Sequence, residues 1–183
     1  KDGEYKINAF ADDYAFLIWA AIELYETTLD VSYLKKAILF SEQFIEKFWD
    51  KNDGGFYFTD TNTEELLGRQ KQIYDGAVPS SNSVAIISLI RLSRITGRTD
   101  FESYANSIGE YFSSDIIRSG SSITHGLQAI QYLNNSPKEI VIVDDAFPSK
   151  EMLSEIRTVF SPFKVFLFKN SERNDICEFA NYT

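Results

Sequence analysis

The sequence repeats itself at an interval of 68 residues, and each copy contains two helical patterns of different character. The first pattern is apolar almost all round in its middle, as in residues 12–27 and from Val84 to Leu92. The second pattern places apolar residues at helical spacing between charged ones, which is typical of a helix with one buried and one wet face. Such a repeat predicts stacked αα-hairpins, each made of a buried helix and an amphipathic helix.

The repeat covers both helices of the hairpin, and a third copy begins at residues 121–133 without its partner helix. Helices that are apolar all round must be covered on every side, which favours a ring with inner and outer helices over a four-helix bundle. We therefore predict a mainly α fold, a partial (α/α) toroid of helical hairpins followed by a small βαβ appendage. The residue pairs that superpose include Ile18 and Ile86, Ile22 and Ile90, Tyr33 and Phe101, Ala37 and Ala105, and Asp13 and Ser81.

The pattern changes at Lys138, where a run rich in Ile and Val is followed by a helical stretch and a second strand-like run. This order predicts a βαβ unit. Two strands alone are marginally stable, so we expect them to join a sheet that other residues complete. The predicted domains are residues 1–135, the αα-hairpin repeats of an (α/α)6-type toroid, and residues 136–183, the small α/β appendage.

Charge and composition limit the partners of the chain. The formal net charge of −9 argues against nucleic acid and anionic membranes, because both attract lysine and arginine. No apolar run reaches the roughly 18 to 20 residues of a membrane span. The single cysteine, Cys177, excludes an internal disulfide and a cysteine-based zinc site, and it is compatible with the reducing, cytoplasmic location that we expect. We predict no metal and no other cofactor. Since the chain begins at Lys1 without Met, we expect it to be part of a longer protein.

A run of turn and capping residues, Pro79 to Asn82, precedes the second buried helix. One cap would suffice for the first free amides of that helix, so the surplus suggests a second role. An inner helix of a toroid directs its amino end toward the opening of the ring, where its amides, Ser81 and Asn82 could meet a polar ligand. Capping and close helix packing alone explain the same residues equally well.

Carboxylates lie near the same predicted opening. Asp12 and Asp13 occupy the start of the first buried helix, Asp13 is in register with Ser81, and Asp75 lies a few residues before Ser81. Two carboxyl groups that flank a bond are the minimal equipment for glycoside hydrolysis, with one as the acid and the other to activate water. We therefore predict Asp13 and Asp75 as catalytic residues. Helix capping and the helix dipole are the alternative explanation for Asp12 and Asp13.

Aromatic and basic residues complete the predicted site. Residues 56–58, Phe-Tyr-Phe, could stack on sugar faces, and Lys71 or Arg69 could pair with Asp75 or with an anionic ligand. The single histidine, His125, is interpreted as a packing or cap residue, because a two-histidine mechanism cannot be built from it. The predicted substrate-binding residues are Asp12, Tyr14, Tyr57, Lys71, Tyr74, Ser81 and Asn82.

Three motifs in combination resemble a known family: DDYAF at 12–16, GGFYFT at 54–59 and YDGAVPSSNSVA at 74–85. They are similar to motifs of the spermatogenesis-associated thioredoxin-like proteins and their bacterial relatives, a family with a domain of unknown function. The resemblance implies a toroid similar to six-hairpin glycosidases and N-acylglucosamine 2-epimerases, preceded in full-length members by a thioredoxin-like domain. The chain would then be a carboxy-terminal portion, with that domain as a partner in the same protein. No settled substrate or catalytic residue comes with the family.

Two functions are predicted from these observations. In the first, the intact protein is an uncharacterised relative of six-hairpin glycosidases or epimerases that binds a sugar or similar polyol at the opening, and the isolated fragment is inactive. In the second, the ring is a non-catalytic scaffold or partner-binding module for the thioredoxin-like domain. Because toroid epimerases rely on histidines and this chain has only His125, epimerase activity is disfavoured.

Overall fold

A computed structural model describes residues 8–61, 68–135, 137–144, 148 and 150–170 of the chain. Within these residues the chain forms seven α-helices, one 3₁₀ turn and two strands, which confirms the prediction of a mainly helical fold with a small strand–helix–strand unit. The elements are α1 (Ala11–Thr28), α2 (Val31–Phe48), α3 (Ser81–Thr96), α4 (Thr99–Tyr111), α5 (Ser113–Ser119), the 3₁₀ turn Gly120–Ser122, α6 (Thr124–Asn134), β1 (Lys138–Asp144), α7 (Lys150–Thr158) and β2 (Lys164–Asn170).

Three helices, α1, α3 and α6, lie side by side with α3 in the middle, and we call them the inner helices. Arg91 in the second half of α3 pairs with Glu23 and Glu26 in the second half of α1. Asp75 accepts hydrogen bonds from backbone amides at the amino ends of both α3 and α6. The inner helices therefore run in the same direction and begin at the same end of the molecule. The second helices of the two hairpins, α2 and α4, pack against α1 and α3 respectively.

The sequence repeat is reproduced in the hydrogen bonds that end the first helix of each hairpin. Thr28 Oγ1 donates to the carbonyl four residues earlier at 2.6 Å, and Thr96 Oγ1 makes the equivalent bond at 2.6 Å. The residues that follow, Leu29 and Gly97, both adopt the left-handed backbone conformation, with φ of 57° and 70°. Glycine adopts this conformation freely, whereas Leu29 keeps it while its side chain is buried in the core. The two hairpins are thus built alike at their turns.

The helix α3 is covered on every side, as its apolar sequence predicts, whereas α1 is not. Ile86, Leu89 and Ile90 of α3 are buried, because α1 and α6 flank this helix and α4 packs against it. On α1, Leu17 is 51% exposed and Leu24 is 44% exposed. None of the described elements covers this face of α1, so its apolar residues remain at the surface.

The strand–helix–strand unit packs on the inner helices through β2, which pairs with β1 in parallel. Residues Val165 to Phe168 are all buried, and the backbone N–H of Phe168 donates to Tyr25 Oη at 3.3 Å. Because both faces of β2 are buried, the strand is continuously apolar rather than alternating. The domain boundary at residue 135 stays a prediction, and residues 171–183 of the predicted appendage lie outside the described residues.

The described residues contain no helix that combines the length and the apolar character required to cross a bilayer. Within the same part of the chain, no group of three or more His, Cys, Asp and Glu side chains is arranged to hold a metal ion. Cys177 lies outside the described residues.

Candidate functional site

A cavity of about 520 Å³ opens between the three inner helices and the segment that leads into β2. Its wall combines aromatic rings with two carboxylates, a guanidinium, an ammonium, three hydroxyls and amide side chains. Binding sites for small polar molecules commonly have this composition, with a few placed polar groups in a largely apolar wall. We call it the inner cavity, and the lining residues that bear on its chemistry are Trp19, Glu23, Glu26, Ser88, Arg91 and His125.

Arg91 is the charged centre of the inner cavity, and its side chain is 9% exposed. Its two terminal nitrogens each pair with a carboxylate of α1, Nη1 with Glu23 Oε1 at 2.6 Å and Nη2 with Glu26 Oε2 at 3.0 Å. Trp19 Nε1 donates to the same oxygen of Glu23 at 3.1 Å. These contacts tie α1 to α3 along the wall of the cavity.

Burial affects the pKa values of Glu26 and Arg91. Burial raises the pKa of Glu26, and the positive charge of Arg91 opposes that shift only in part. Burial also acts to lower the pKa of Arg91, but the charges of Glu26 and Glu23 outweigh it and the pKa is raised. Two carboxylates thus share one guanidinium, so this part of the wall carries an excess of negative charge when both glutamates are ionised.

Two buried oxygens of the wall have no hydrogen-bond partner among the residues that the structure describes. One is Oε1 of Glu26, and the other is Oγ of Ser88, a residue that is only 2% exposed. The Phe166 backbone amide lies near enough to Glu26 to lower its pKa by a minor amount, but it does not form a hydrogen bond with Oε1. An unpaired buried polar atom costs about 1–3 kcal/mol, so folded proteins rarely contain one without a reason. Both residues line the inner cavity, so a ligand that shifts these side chains slightly could supply the missing partners.

His125 lies in the first turn of α6, and its ring packs against that of Trp19 with the centroids 5.2 Å apart. Burial lowers the pKa of His125, and the charge of Asp75 opposes the shift only in part. The imidazole is therefore uncharged at neutral pH. It contributes a flat surface and a weakly polar edge to the cavity, and no charge.

Asp75, which the sequence predicts to be catalytic, joins the amino ends of two inner helices. Its Oδ1 accepts from the N–H of Ser80 at 2.9 Å, and its Oδ2 accepts from the N–H groups of His125 at 2.8 Å and Gly126 at 3.0 Å. Since Ile123 at the start of α6 offers no side-chain cap, Asp75 supplies this cap from a distant part of the chain. Proton transfer by Asp75 would require it to give up these bonds.

Asn82 and Ser81, predicted to bind substrate, are buried at the start of α3. Asn82 Oδ1 accepts from the N–H of Phe56 at 2.8 Å, while Nδ2 donates to the carbonyls of Phe56 at 3.0 Å and Gln72 at 2.9 Å. These bonds fasten two loop segments to the helix. Ser81 is 1% exposed, and it is Ser80 whose Oγ accepts from the amide three residues later, at 3.2 Å, and so caps α3.

Lys71 and Tyr57, also predicted to bind substrate, converge on Asp50, a residue that the sequence did not single out. Lys71 Nζ donates to Asp50 Oδ2 and to the Gly54 carbonyl, each at 2.8 Å, and Tyr57 Oη donates to the same Asp50 oxygen at 2.7 Å. Both partners of the Lys71–Asp50 ion pair are 5% exposed. The pairing of Lys71 with Asp75 that the sequence allowed is therefore replaced by a buried pair with Asp50.

The partners of Asp50 keep it ionised. Burial disfavours its charged form, but the hydrogen bonds from Lys71, the Asn52 amide and Tyr57 outweigh burial and hold the pKa of Asp50 well below its usual range. The ammonium of Lys71 also lies 3.5 Å from the centroid of the Tyr111 ring, which adds a cation–π contact. The cluster fixes the loop after α2 and leaves its lysine little freedom to meet a ligand.

The remaining predicted residues lie at or near the surface. Asp13 Oδ2 accepts from the backbone N–H three residues earlier at 2.8 Å and so caps α1, and Asp12 is half-buried in the same turn. Tyr14 Oη accepts from a lysine of α2 at 3.2 Å, and Tyr74 is 65% exposed. Asp13 and Asp75 lie at the same end of the inner helices, but no hydrogen bond between described residues joins them. Their catalytic pairing stays a prediction.

The sequence contains a signal for the inner cavity that the prediction did not use. Arg91 interrupts an otherwise apolar run, and under the shift of 68 residues it lies in register with Glu23. Opposite charges at equivalent positions of two buried helices indicate a pair across the inner layer, because buried charges are seldom left alone. Glu26 and Ser88 carry no comparable signal, since only the packing of the three helices places them in one wall.

Comparison with known proteins relates the chain to spermatogenesis-associated protein 20. The chain is 29% identical to that protein of Rattus norvegicus and 28% identical to that of Homo sapiens, in each case over 166 residues and 89% of this chain. It is 32% identical to an uncharacterized protein of Caenorhabditis elegans over 158 residues, 86% of this chain.

These matches support the resemblance to the spermatogenesis-associated family found in the sequence motifs. The chain spans about a fifth of the length of these relatives, 21% in each case. No protein-family model matches the sequence.

Proposed function

We propose that the intact protein binds a sugar or similar polyol in the inner cavity, within a toroid of helical hairpins to which this chain contributes. The proposal is carried by the two buried oxygens without partners, Ser88 Oγ and Glu26 Oε1, in the wall of a cavity of about 520 Å³. A polyol offers several hydroxyl donors within a small volume, so one molecule carries a donor for each oxygen.

The aromatic and amide side chains of the wall support the same class of ligand. Trp19, Tyr132 and Phe163 line the cavity, and flat apolar rings stack well on the apolar faces of sugars. Gln128 and Gln131 of α6 add amides that can both donate and accept hydrogen bonds. A stacking surface combined with uncharged hydrogen-bonding groups suits a ring sugar better than a purely apolar ligand.

The arrangement of the helices supports a larger ring. Inner helices that start at one end, with α2 and α4 packed against two of them, would form an arc of a toroid. The uncovered face of α1, with Leu17 and Leu24, is where a preceding hairpin would pack. We also propose that the protein belongs to the spermatogenesis-associated family and is located in the cytoplasm. A thioredoxin-like domain would then lie elsewhere in the same protein.

In this proposal, the site residues predicted from the sequence lie around the amino-terminal ends of the inner helices. Asp75 and Asn82 hold the helix ends and loops in place through hydrogen bonds to backbone groups. Asp13 and Asp75 remain the predicted catalytic residues of a hydrolase. The predicted ligand contacts at this end remain Asp12, Tyr14, Tyr57, Lys71, Tyr74, Ser81 and Asn82.

A scaffold for the thioredoxin-like domain is the second proposal. It is favoured by the polar groups at the helix ends, since Asp75 and Asn82 already bind other parts of the chain. The exposed apolar side chains Leu17 and Leu24 of α1 would suit a protein partner. In this case no small molecule binds in the inner cavity.

A thermal-shift assay on the full-length protein with a panel of neutral sugars and polyols separates the two proposals. We expect at least one ligand to raise the Tm of the wild type, and Ser88→Ala to lose this increase. Because the Ser88 hydroxyl is buried without a partner, its removal should leave the stability of the ligand-free protein unchanged or higher. Ser114→Ala, at an exposed serine of α5, is the matched control and should respond as the wild type does.

If no member of the panel raises the Tm, ligand binding is rejected and the scaffold is favoured. An increase that survives Ser88→Ala but is lost in Asp13→Ala and Asp75→Ala would move the site to the end of the inner helices that the sequence predicted.

A further inference from the structure

We infer that the inner cavity selects uncharged polyols and rejects anionic sugars such as uronates and sugar phosphates. This selectivity rests on the proposed function, since it concerns the ligand of that same cavity. Its physical basis is the distribution of charge and of hydrogen-bond acceptors in the wall.

The guanidinium of Arg91 is already neutralised by the wall itself. Its Nη1 lies 2.6 Å from Glu23 and its Nη2 lies 3.0 Å from Glu26, so each terminal nitrogen faces a carboxylate. An anionic ligand would have to displace one carboxylate and would then lie beside it. Glu26 is 12% exposed, so water screens its repulsion of an anion only weakly, whereas Glu23 is 54% exposed and its repulsion is screened more strongly.

The wall contains one further cation. Lys164 lines the cavity and keeps its positive charge, so that with Arg91 it balances the two glutamates. Its ammonium donates to the carbonyls of Val159 at 3.1 Å and Ile156 at 3.4 Å, near the end of α7. His125 is uncharged at neutral pH, because burial lowers its pKa. Among the described lining residues, both cations are thus already hydrogen-bonded within the protein, so an anion would have to compete with those partners.

The oxygen of Glu26 that has no hydrogen-bond partner also favours neutral ligands over anionic ones. Glu26 Oε1 can accept a hydrogen bond but, while the group is ionised, cannot donate one. A ligand hydroxyl donates to it, whereas the carboxylate of a uronate or an ionised phosphate brings only acceptors to the same place. A neutral polyol therefore satisfies an atom that an anion would leave unpaired and repelled.

Isothermal titration calorimetry on the full-length protein, at low ionic strength, tests this with matched sugars. The pairs are glucose and glucuronate, galactose and galacturonate, and mannose and mannose 6-phosphate. We expect each anionic member to bind at least about tenfold more weakly than its neutral partner. Glu26→Gln keeps an acceptor for Arg91 but removes the charge, so it should narrow this gap. Glu46→Gln, at an exposed residue of α2, is the control and should leave the gap unchanged.

Anionic sugars that bind as tightly as the neutral ones, or more tightly, would overturn the selectivity while leaving sugar binding in place. A gap that Glu26→Gln and Glu46→Gln leave equally wide would also overturn it, because Glu26 would not be its source. If no sugar of any pair binds, both the selectivity and the proposed function are rejected.

Discussion

The buried pair of Asp50 and Lys71 links the stability of the fold to pH. Both side chains are 5% exposed, and the pKa of Asp50 is held well below its usual range. Because the folded pKa is lowered, the carboxylate stabilises the fold above its unfolded pKa of about 3.9. That contribution is lost as the pH falls through the folded pKa.

Lys71→Met is expected to lower the free energy of unfolding at pH 7 by about 3 kcal/mol, since it leaves a buried carboxylate without its partner. In the variant the pKa of Asp50 rises, so the difference from the wild type should narrow as the pH is lowered to about 3. Urea unfolding followed by far-UV circular dichroism measures both values. Lys150→Met, at an exposed lysine of α7, is the control and should change neither. A difference of equal size at both pH values would contradict this account of Asp50.

Asn82 shows what local sequence can and cannot predict about a residue. The run from Pro79 to Asn82 correctly indicates where α3 begins, and Ser80 caps it as such residues commonly do. The partners of Asn82 are Phe56 and Gln72, which lie 26 and 10 residues away. Those contacts depend on how two loops fold over the helix, and no spacing rule in the sequence encodes them.

Among the elements, α6 depends on a cap that comes from outside the helix. Asp75→Ala is expected to loosen the amino end of α6 more than that of α3, because α3 retains Ser80 and α6 has no side-chain cap of its own. The loss of one cap typically costs about 1 kcal/mol. Amide hydrogen exchange at His125 and Gly126 should therefore become faster. Asp12→Ala, in the first turn of α1, is the control and should leave these amides unchanged.

Unchanged protection of the α6 amides in Asp75→Ala would mean that the three hydrogen bonds of this carboxylate contribute little. In that case the catalytic role predicted from the sequence would gain support over the structural one.

The helices could be predicted from the periodic spacing of their apolar residues. The elements that pack against each helix could not. The sequence predicted that α1 and α3 would both be covered all round, whereas Leu17 of α1 is exposed and Ile86 of α3 is fully buried. The apolar residues of a helix indicate which face it can bury. Which elements cover that face is known only from the folded structure. The inner cavity was missed for the same reason, since its wall joins faces of three helices whose relative rotation is set by packing.

At the scale of the whole molecule, the strand–helix–strand unit and the helices share one core. Phe166 and Phe168 of β2 are buried, and β2 contacts both α1 and α3. Arg157 of α7 donates to the carbonyls of Glu26 at 3.3 Å and Thr27 at 2.7 Å, at the carboxyl end of α1, where a cation is favourable. These contacts predict that the two parts unfold together.

Phe166→Ala is expected to destabilise helices and sheet by the same amount, about 3–5 kcal/mol, because it leaves a cavity in the shared core. Thermal unfolding by far-UV circular dichroism follows the helices, and hydrogen-exchange mass spectrometry follows β2. Phe160→Ala, at a side chain that is 90% exposed, is the matched control and should have little effect. Helices that keep the wild-type Tm while β2 loosens would show two independent units instead.

The contact between Trp19 and His125 equips the molecule with an optical reporter of its own. The chain has two tryptophans, of which Trp19 lines the inner cavity and Trp49 packs against Phe56 and Tyr104. The chain with Trp49 replaced by phenylalanine would carry a single tryptophan, Trp19, placed in the wall where a ligand would bind. Its fluorescence would then report the binding and release of a ligand in real time, without an added dye.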